Sequence, residues 1–258
     1  MLIISYGIPK TGSTLAFELV RGLLTNAGFA QDFHYNDRPG AHRTRGKRGF
    51  LTTVTRERIE DLIAQIGPDR RIAVKTHAAF EPEMFAWLED LQQKRAIQVI
   101  ASYRDPRDIA LSVLDAGKRA RARLLVKPDS GKAFSSVQDL EHAAKNIVAR
   151  IVQFRRWAAL KGSLRVNYED VAFEPLTVVD AMERALGIVC NREEVLRYAF
   201  EEAFTLKNKA KRHRYEDEMD DAQKKMMRQT FRNFIRKVCE ENSQEWFDVY
   251  REKMLRGE

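Results

Sequence analysis

At 258 residues, with 44% apolar and 32% charged residues, the chain is long enough to bury a full core and reads as a soluble globular protein. A formal charge of +8 favours an anionic ligand or partner, whether a small phosphorylated molecule, nucleic acid or a membrane surface, and does not choose among them. Cys190 and Cys239 are too few for a disulfide framework, no apolar run approaches the ~20 residues of a membrane span, and a strand starting at Leu2 leaves no room for a signal peptide, so a cytosolic protein is expected.

The first element is a short apolar, β-branched run, Leu2-Ile3-Ile4-Ser5-Tyr6, which reads as a buried strand leading into the loop Gly7-Ile8-Pro9-Lys10-Thr11-Gly12-Ser13-Thr14. An amphipathic helix follows at once, with Leu15, Leu19, Val20, Leu23, Leu24 and Ala27 on one face and Glu18, Arg21 and Asn26 on others. Its first turn offers unpaired backbone N–H groups and the positive end of its dipole to an anion in the loop. The Gly7 to Gly12 spacing is that of a Walker A loop, but Ser13 stands where a nucleotide triphosphate loop has Lys, and the lysine is inside the loop at position 10. No later strand ends in an Asp suited to magnesium, so the loop suits an anion held by a lysine and amides without metal. Taken alone, the same loop is equally an ordinary turn.

Residues 29–50, rich in Gly and Arg, show no period and are expected to form a long loop, either solvated and basic or a substrate lid. Residues 55–66 read as a helix ended by Gly67-Pro68, 71–77 as a second strand ending in Lys75-Thr76-His77, 82–94 as a helix, and 97–103 as a third strand. Strands alternating with helices predict a parallel sheet, whose ligands gather at the carboxyl ends of its strands. Those ends are the Gly7 loop, the Lys75-Thr76-His77 triplet and the turn Arg104-Asp105-Pro106-Arg107-Asp108.

A helix is expected from near Asp108, a basic and less regular stretch over 116–132, and a long helix from about Ser135 to Gly162. Residues 163–167 suit a fourth strand with Tyr168-Glu169-Asp170 as its polar end, followed by helices at 175–186 and 192–204. Beyond a basic block at 207–214 and an acidic one after it, residues 222–254 fit two amphipathic helices. The expectation is a single domain over 1–258: an α/β fold with a central parallel sheet of about four to five strands flanked by helices, containing a P-loop, with a helical C-terminal part.

Pro9-Lys10-Thr11-Gly12-Ser13-Thr14, Val74-Lys75-Thr76-His77, Arg104 followed eight residues later by Ser112, and Tyr168-Glu169-Asp170 come in this order within residues 1–190. Together they resemble the cytosolic-type sulfotransferase family, which uses 3′-phosphoadenosine 5′-phosphosulfate (PAPS) as sulfuryl donor. The resemblance implies that Pro9, Lys10, Thr11, Gly12, Ser13 and Thr14 hold the 5′-phosphosulfate, that Arg104 and Ser112 hold the 3′-phosphate, and that Tyr168 lies near the adenine. It further implies His77 as the general base toward a hydroxyl or amine acceptor, Lys10 on the bridging oxygen of the leaving phosphate and Lys75 on the sulfuryl group. An imidazole suits the base because its ordinary pKa near 6.5 leaves it mostly neutral at cytosolic pH.

The family's Gly-x-x-Gly-x-x-Lys pattern near the C-terminus is absent, and Lys209, Lys211 and Arg212 fall in the part of the chain where a substitute is needed. The aromatic residue that the family stacks on adenine soon after the first helix is not recognisable, and the acceptor pocket, a small-molecule or glycan site, falls on the variable stretches 29–50 and 116–140. His77 read alone is a hydrogen-bonded strand-end residue, Lys75 an exposed lysine, and Arg104 a partner for Asp105 or Asp108. His34, His42, His142 and His213 have no partner at metal-ligand spacing, so no metal is assigned. A P-loop kinase, a nucleic-acid-binding module and a non-catalytic adenosine-phosphate binder are the competing classes; aromatics at core spacing, apart from the basic runs, count against nucleic acid.

Overall fold

β1 (Leu2–Gly7) is the middle of a five-stranded parallel sheet with β2 (Phe50–Leu51), β3 (Ile72–Thr76), β4 (Ile97–Tyr103) and β5 (Leu164–Asn167), in the order β2-β3-β1-β4-β5. A central strand covered on both faces needs a continuous apolar run rather than alternation, and all six residues of β1 are buried. The register sets Tyr6 beside Thr76 and Gly7 beside Ser102, so the ends of β1, β3 and β4 fall level. The computed structural model describes residues 1–32, 49–126, 133–203 and 210–258. Most of the expected long loop at 29–50, together with Lys207 and Lys209, lies outside them.

Contacts divide the chain into two compact units. The first comprises Met1–Tyr103, Gln153–Lys207 and Phe247–Glu258, and holds the sheet. In it, α1 (Ser13–Asn26) buries Leu19, Val20, Leu23 and Leu24 in a core with Ile3, Ala73, Ile100 and Val166, joined by Val178, Val179 and Met182 of α7 (Pro175–Leu186). α2 (Arg56–Ile66) is capped by the Thr55 hydroxyl, which accepts from Arg58 N–H at 3.3 Å, and stops at Gly67 with φ 73°. A 3₁₀ turn at Pro82–Met84 leads into α3 (Phe85–Gln93). Trp157 stacks on Tyr6 (ring centroids 5.6 Å apart), meets Phe80 edge-on at 4.6 Å, and donates from Nε1 to Ala78 O at 3.0 Å, which ties down the chain just after His77.

The second unit comprises Arg104–Val152 and Asn208–Trp246. α4 (Pro106–Val126) continues through much of the stretch expected to be irregular. Gly117 has no room for a Cβ, which would sit 2.8 Å from the carbonyls of Phe134 and Val137, and Arg121 Nη1 donates to the carbonyls of Ser135 (3.0 Å) and Val137 (2.6 Å). Residues 134–137 thus pack directly against the middle of α4. α5 (Leu140–Ala159) begins in this unit and ends in the first.

Four further expectations are corrected. Phe50–Leu51 is a strand, pairing with Lys75 and Thr76. Tyr168-Glu169-Asp170 is not a strand's tail but the first turn of α6 (Tyr168–Phe173), started by the Asn167 side chain accepting from Glu169 N–H at 3.2 Å. The helix expected over 192–204 is α8 (Arg192–Arg197) followed by a π-type turn, Tyr198–Glu202. After α9 (Arg214–Glu218), the two helices expected at the C-terminus become α10 (Asp221–Thr230), with an Asp220–Gln223 capping box, α11 (Arg232–Phe234) running into a π-type turn, and α12 (Gln244–Arg256).

Candidate active site

In the first unit the site begins with the glycines. A Cβ on Gly7 would lie 2.3 Å from Ser13 Cβ, so the start of α1 sits directly against the end of β1. Gly12 is left-handed (φ 69°) and precedes the helix without a side-chain cap, while Lys10 also takes a positive φ of 78°. Thr11 locks this tight path, its hydroxyl donating to Ile8 O at 2.7 Å and Ser102 O at 3.3 Å. The N–H groups of the first turn of α1 have no partner within the helix, and they face the loop with the positive end of the dipole. Tyr168 lies over the loop: a Cβ on Gly12 would meet its Cδ2 at 2.7 Å.

Lys75 is enclosed rather than solvated. Its Nζ donates to Thr14 Oγ1 at 2.6 Å. Burial pulls its pKa from 10.5 down to about 8, Glu18's charge working against that and Lys10's adding to it. Both lysines, from the loop and from β3, therefore act on one another near the start of α1. A bound anion would relieve that repulsion.

His77 follows β3 and is half-buried. Its Nδ1 lies 2.5 Å from Gly7 O, and its ring meets Phe50 edge-on at 5.6 Å. A carbonyl oxygen only accepts, so Nδ1 carries the hydrogen and the neutral ring's lone pair is on Nε2. The peptide carbonyl thus fixes the tautomer of the neutral ring.

The second unit carries Arg104 and Ser112, both 3% exposed. Arg104 Nη2 donates to Asp108 Oδ2 at 3.1 Å and to Lys211 O at 3.2 Å, so the pairing with Asp108 does form. Burial pushes the Asp108 carboxyl up, and the Arg104 charge opposes it. Asp108 Oδ1 also accepts from Tyr215 N–H at 3.0 Å, which ties α9 to α4. Asp108 and Ser112 are one turn apart on α4. Lys211 approaches Arg104 with its carbonyl, while its ammonium pairs with Asp217, and Arg212 is exposed. Among the described residues no group of three or more His, Cys, Asp or Glu is placed to hold a metal ion.

Each unit thus gathers its own part of the expected set: the loop, Lys10, Lys75, His77 and Tyr168 in the first, Arg104, Ser112 and Lys211 in the second. Glu18 escaped sequence reading. It is 5% exposed and acts on Lys75, and the only sequence signal was its place one helical turn after Thr14.

A parallel sheet whose glycine loop opens a helix, with two lysines and an oriented imidazole at adjacent strand ends, defines an α/β protein of the P-loop type adapted to an anionic group. The family model for the sulfotransferase domain matches residues 1–257, and the chain belongs to that family. PAPS-dependent sulfotransfer, expected from the ordered motifs, is that family's class of reaction. Among solved structures it is similar to retinol dehydratase in complex with androsterone and the inactive cofactor PAP, at 15% identity over 91% of this chain and 80% of that one, TM-score 0.52. It is likewise similar to a mouse sulfotransferase complexed with PAP, at 15% identity over 97% of this chain and 87% of that one, TM-score 0.50. Likeness at these identities shows the fold. No curated protein sequence gives a significant match.

Proposed function

We propose that this chain, acting in the cytoplasm as one catalytic domain, moves a sulfuryl group from PAPS to a hydroxyl or amine of a small-molecule or glycan acceptor, with His77 as the general base. The donor brings an activated sulfuryl group on a phosphate that departs. The cradle suits it: there is no room for a Cβ at Gly7 or Gly12, and Lys10 is inside the loop. Pro9 to Thr14 and the first turn of α1 would hold the 5′ end, Lys10 neutralising charge on the departing phosphate and Lys75 steadying the sulfuryl oxygens. A sulfuryl group carries less charge than a phosphoryl group, so cationic side chains and amides serve where kinases use magnesium. Arg104 and Ser112 are assigned to the 3′-phosphate, with Lys211, whose carbonyl accepts from Arg104, and Arg212 beside it in the chain, and Tyr168 to the adenine end.

The observation that carries the reading is the His77 Nδ1 contact with Gly7 O, which puts the neutral ring's lone pair on Nε2, the nitrogen assigned to the acceptor's proton. His77→Ala is expected to keep affinity for adenosine 3′,5′-bisphosphate while cutting turnover by roughly 10²- to 10⁴-fold, measured as bisphosphate release with a panel of phenols, alcohols, sugars and amines. Full turnover of His77→Ala with a poorly acidic alcohol would sink the base assignment. A thermal shift with ATP and magnesium but none with the bisphosphate would favour a kinase instead.

A further inference from the structure

The buried polar group closest in chemistry to the two lysines, yet unused by the reaction as described, is Glu18. Thr14 and Glu18 are four residues apart on α1 and share a face, and Lys75 reaches that face through its 2.6 Å bond to the Thr14 hydroxyl. The Glu18 carboxylate is pinned on one oxygen: Oε2 accepts from Arg21 Nη1 at 3.0 Å and from the Tyr198 hydroxyl at 2.9 Å. Tyr198 is itself fixed, since its ring fills the space beside Gly22, where a Cβ would meet Cδ1 at 2.7 Å. Burial, with Glu18 adding to it, pushes the Tyr198 hydroxyl up to about 12, so it stays a donor across the working range.

The charged and titratable groups around Lys75 are therefore Lys10 in the loop, Glu18 on α1, Arg21 and Tyr198 acting through Glu18, and His77 two residues along the chain. Two cations with no acid among them would lose a proton, and a lysine without its proton cannot hold a sulfuryl oxygen. We propose that Glu18 is a positioning residue that keeps Lys75 protonated and seated on Thr14 for donor binding, a role that rests on the donor reading above. The lowered Lys75 pKa of about 8, with Glu18 opposing the fall, fits this arrangement.

The test reads Lys75 directly, in the full chain with nothing bound. Lysine labelled with ¹³C at Cε, its signal assigned with Lys75→Arg, gives the titration midpoint. Glu18→Gln should lower that midpoint by about one pH unit, and Glu18→Asp, which keeps the charge, should restore most of it. At pH 8 Lys75 would then be about half protonated in wild type and about one-eleventh protonated in Glu18→Gln, so PAPS, which carries the sulfuryl group, should bind the variant roughly fivefold more weakly in equilibrium dialysis without acceptor, the two converging at about pH 6. An unchanged midpoint in Glu18→Gln overturns the proposal, as does an equal fall in both variants, which would mark lost packing rather than lost charge. Should Glu18→Gln not fold, Tyr198→Phe keeps the carboxylate and removes a donor from Oε2; a raised midpoint supports the proposal and an unchanged or lowered one overturns it. Failure of wild type to bind the bisphosphate at any pH sinks the donor reading, whereas an unchanged midpoint alongside normal binding sinks only the role of Glu18.

Discussion

Replacing Gly12 by alanine separates the two constraints on the loop. The first is conformational: Gly12 sits at φ 69° and ψ 12°, a left-handed position that costs a residue with a Cβ about 1–2 kcal/mol. The second is steric: the new Cβ would lie 2.7 Å from Tyr168 Cδ2, well inside the 3.4 Å at which ordinary contact begins, and such overpacking costs about 1–3 kcal/mol. Gly12→Ala should therefore lose about 2–5 kcal/mol, a large part of a typical domain's stability. Repeating it in a Tyr168→Ala background removes the clash and keeps the backbone cost, so the loss there should shrink to about 1–2 kcal/mol. Urea unfolding of the four proteins, with unchanged slopes, supplies the cycle. An equal loss in both backgrounds would refute the packing of Tyr168 over the loop, and a loss near zero in both would refute the left-handed turn as well.

Other perturbations address the ion pairs. Arg104→Ala leaves the fully buried Asp108 without its cation and should cost about 3–5 kcal/mol, with part regained by Arg104→Met combined with Asp108→Asn, as read by thermal melting. Under the donor reading, Arg104→Ala should also weaken adenosine 3′,5′-bisphosphate binding far more than adenosine 5′-phosphate binding, and equal losses in calorimetry would count against a 3′-phosphate role. Because the folded Lys75 has lost its proton between about 8 and 10.5 while the unfolded chain keeps it, its contribution makes unfolding free energy rise with pH across that window. Lys75→Met should flatten that slope in urea melts between about pH 8 and 10 and leave the pH dependence unchanged below about 7.

The sequence made legible what is local. β1 and β4 read as strands because their runs are short and largely apolar, broken only by Ser5 in the one and by Gln98 and Ser102 in the other, and the loop, the Lys75-Thr76-His77 end and the Arg104 turn were found because each is contiguous. The Arg104–Asp108 pair was foreseeable, being a one-turn spacing. What escaped depends on distant partners. Phe50–Leu51 is a strand only because β3 lies beside it, and two residues carry no period. The middle of α4 reads as irregular until the Phe134 and Val137 carbonyls are seen at Gly117, and Glu18 looks like a surface acid until Tyr198, 180 residues away, is found on it.

In many hydrolases the imidazole is oriented by an aspartate, which brings a full charge and a titration of its own. Here the same task falls to the peptide carbonyl of Gly7. A carbonyl carries no net charge and takes up no proton in the working range, so the tautomer of His77 holds wherever the ring is neutral, with no acidic limb from an orienting acid. No side-chain substitution can delete it. Only a change to the backbone itself could weaken this acceptor, for example an ester in place of the amide between Gly7 and Ile8. The atom that aims the imidazole would be altered together with the start of the glycine loop.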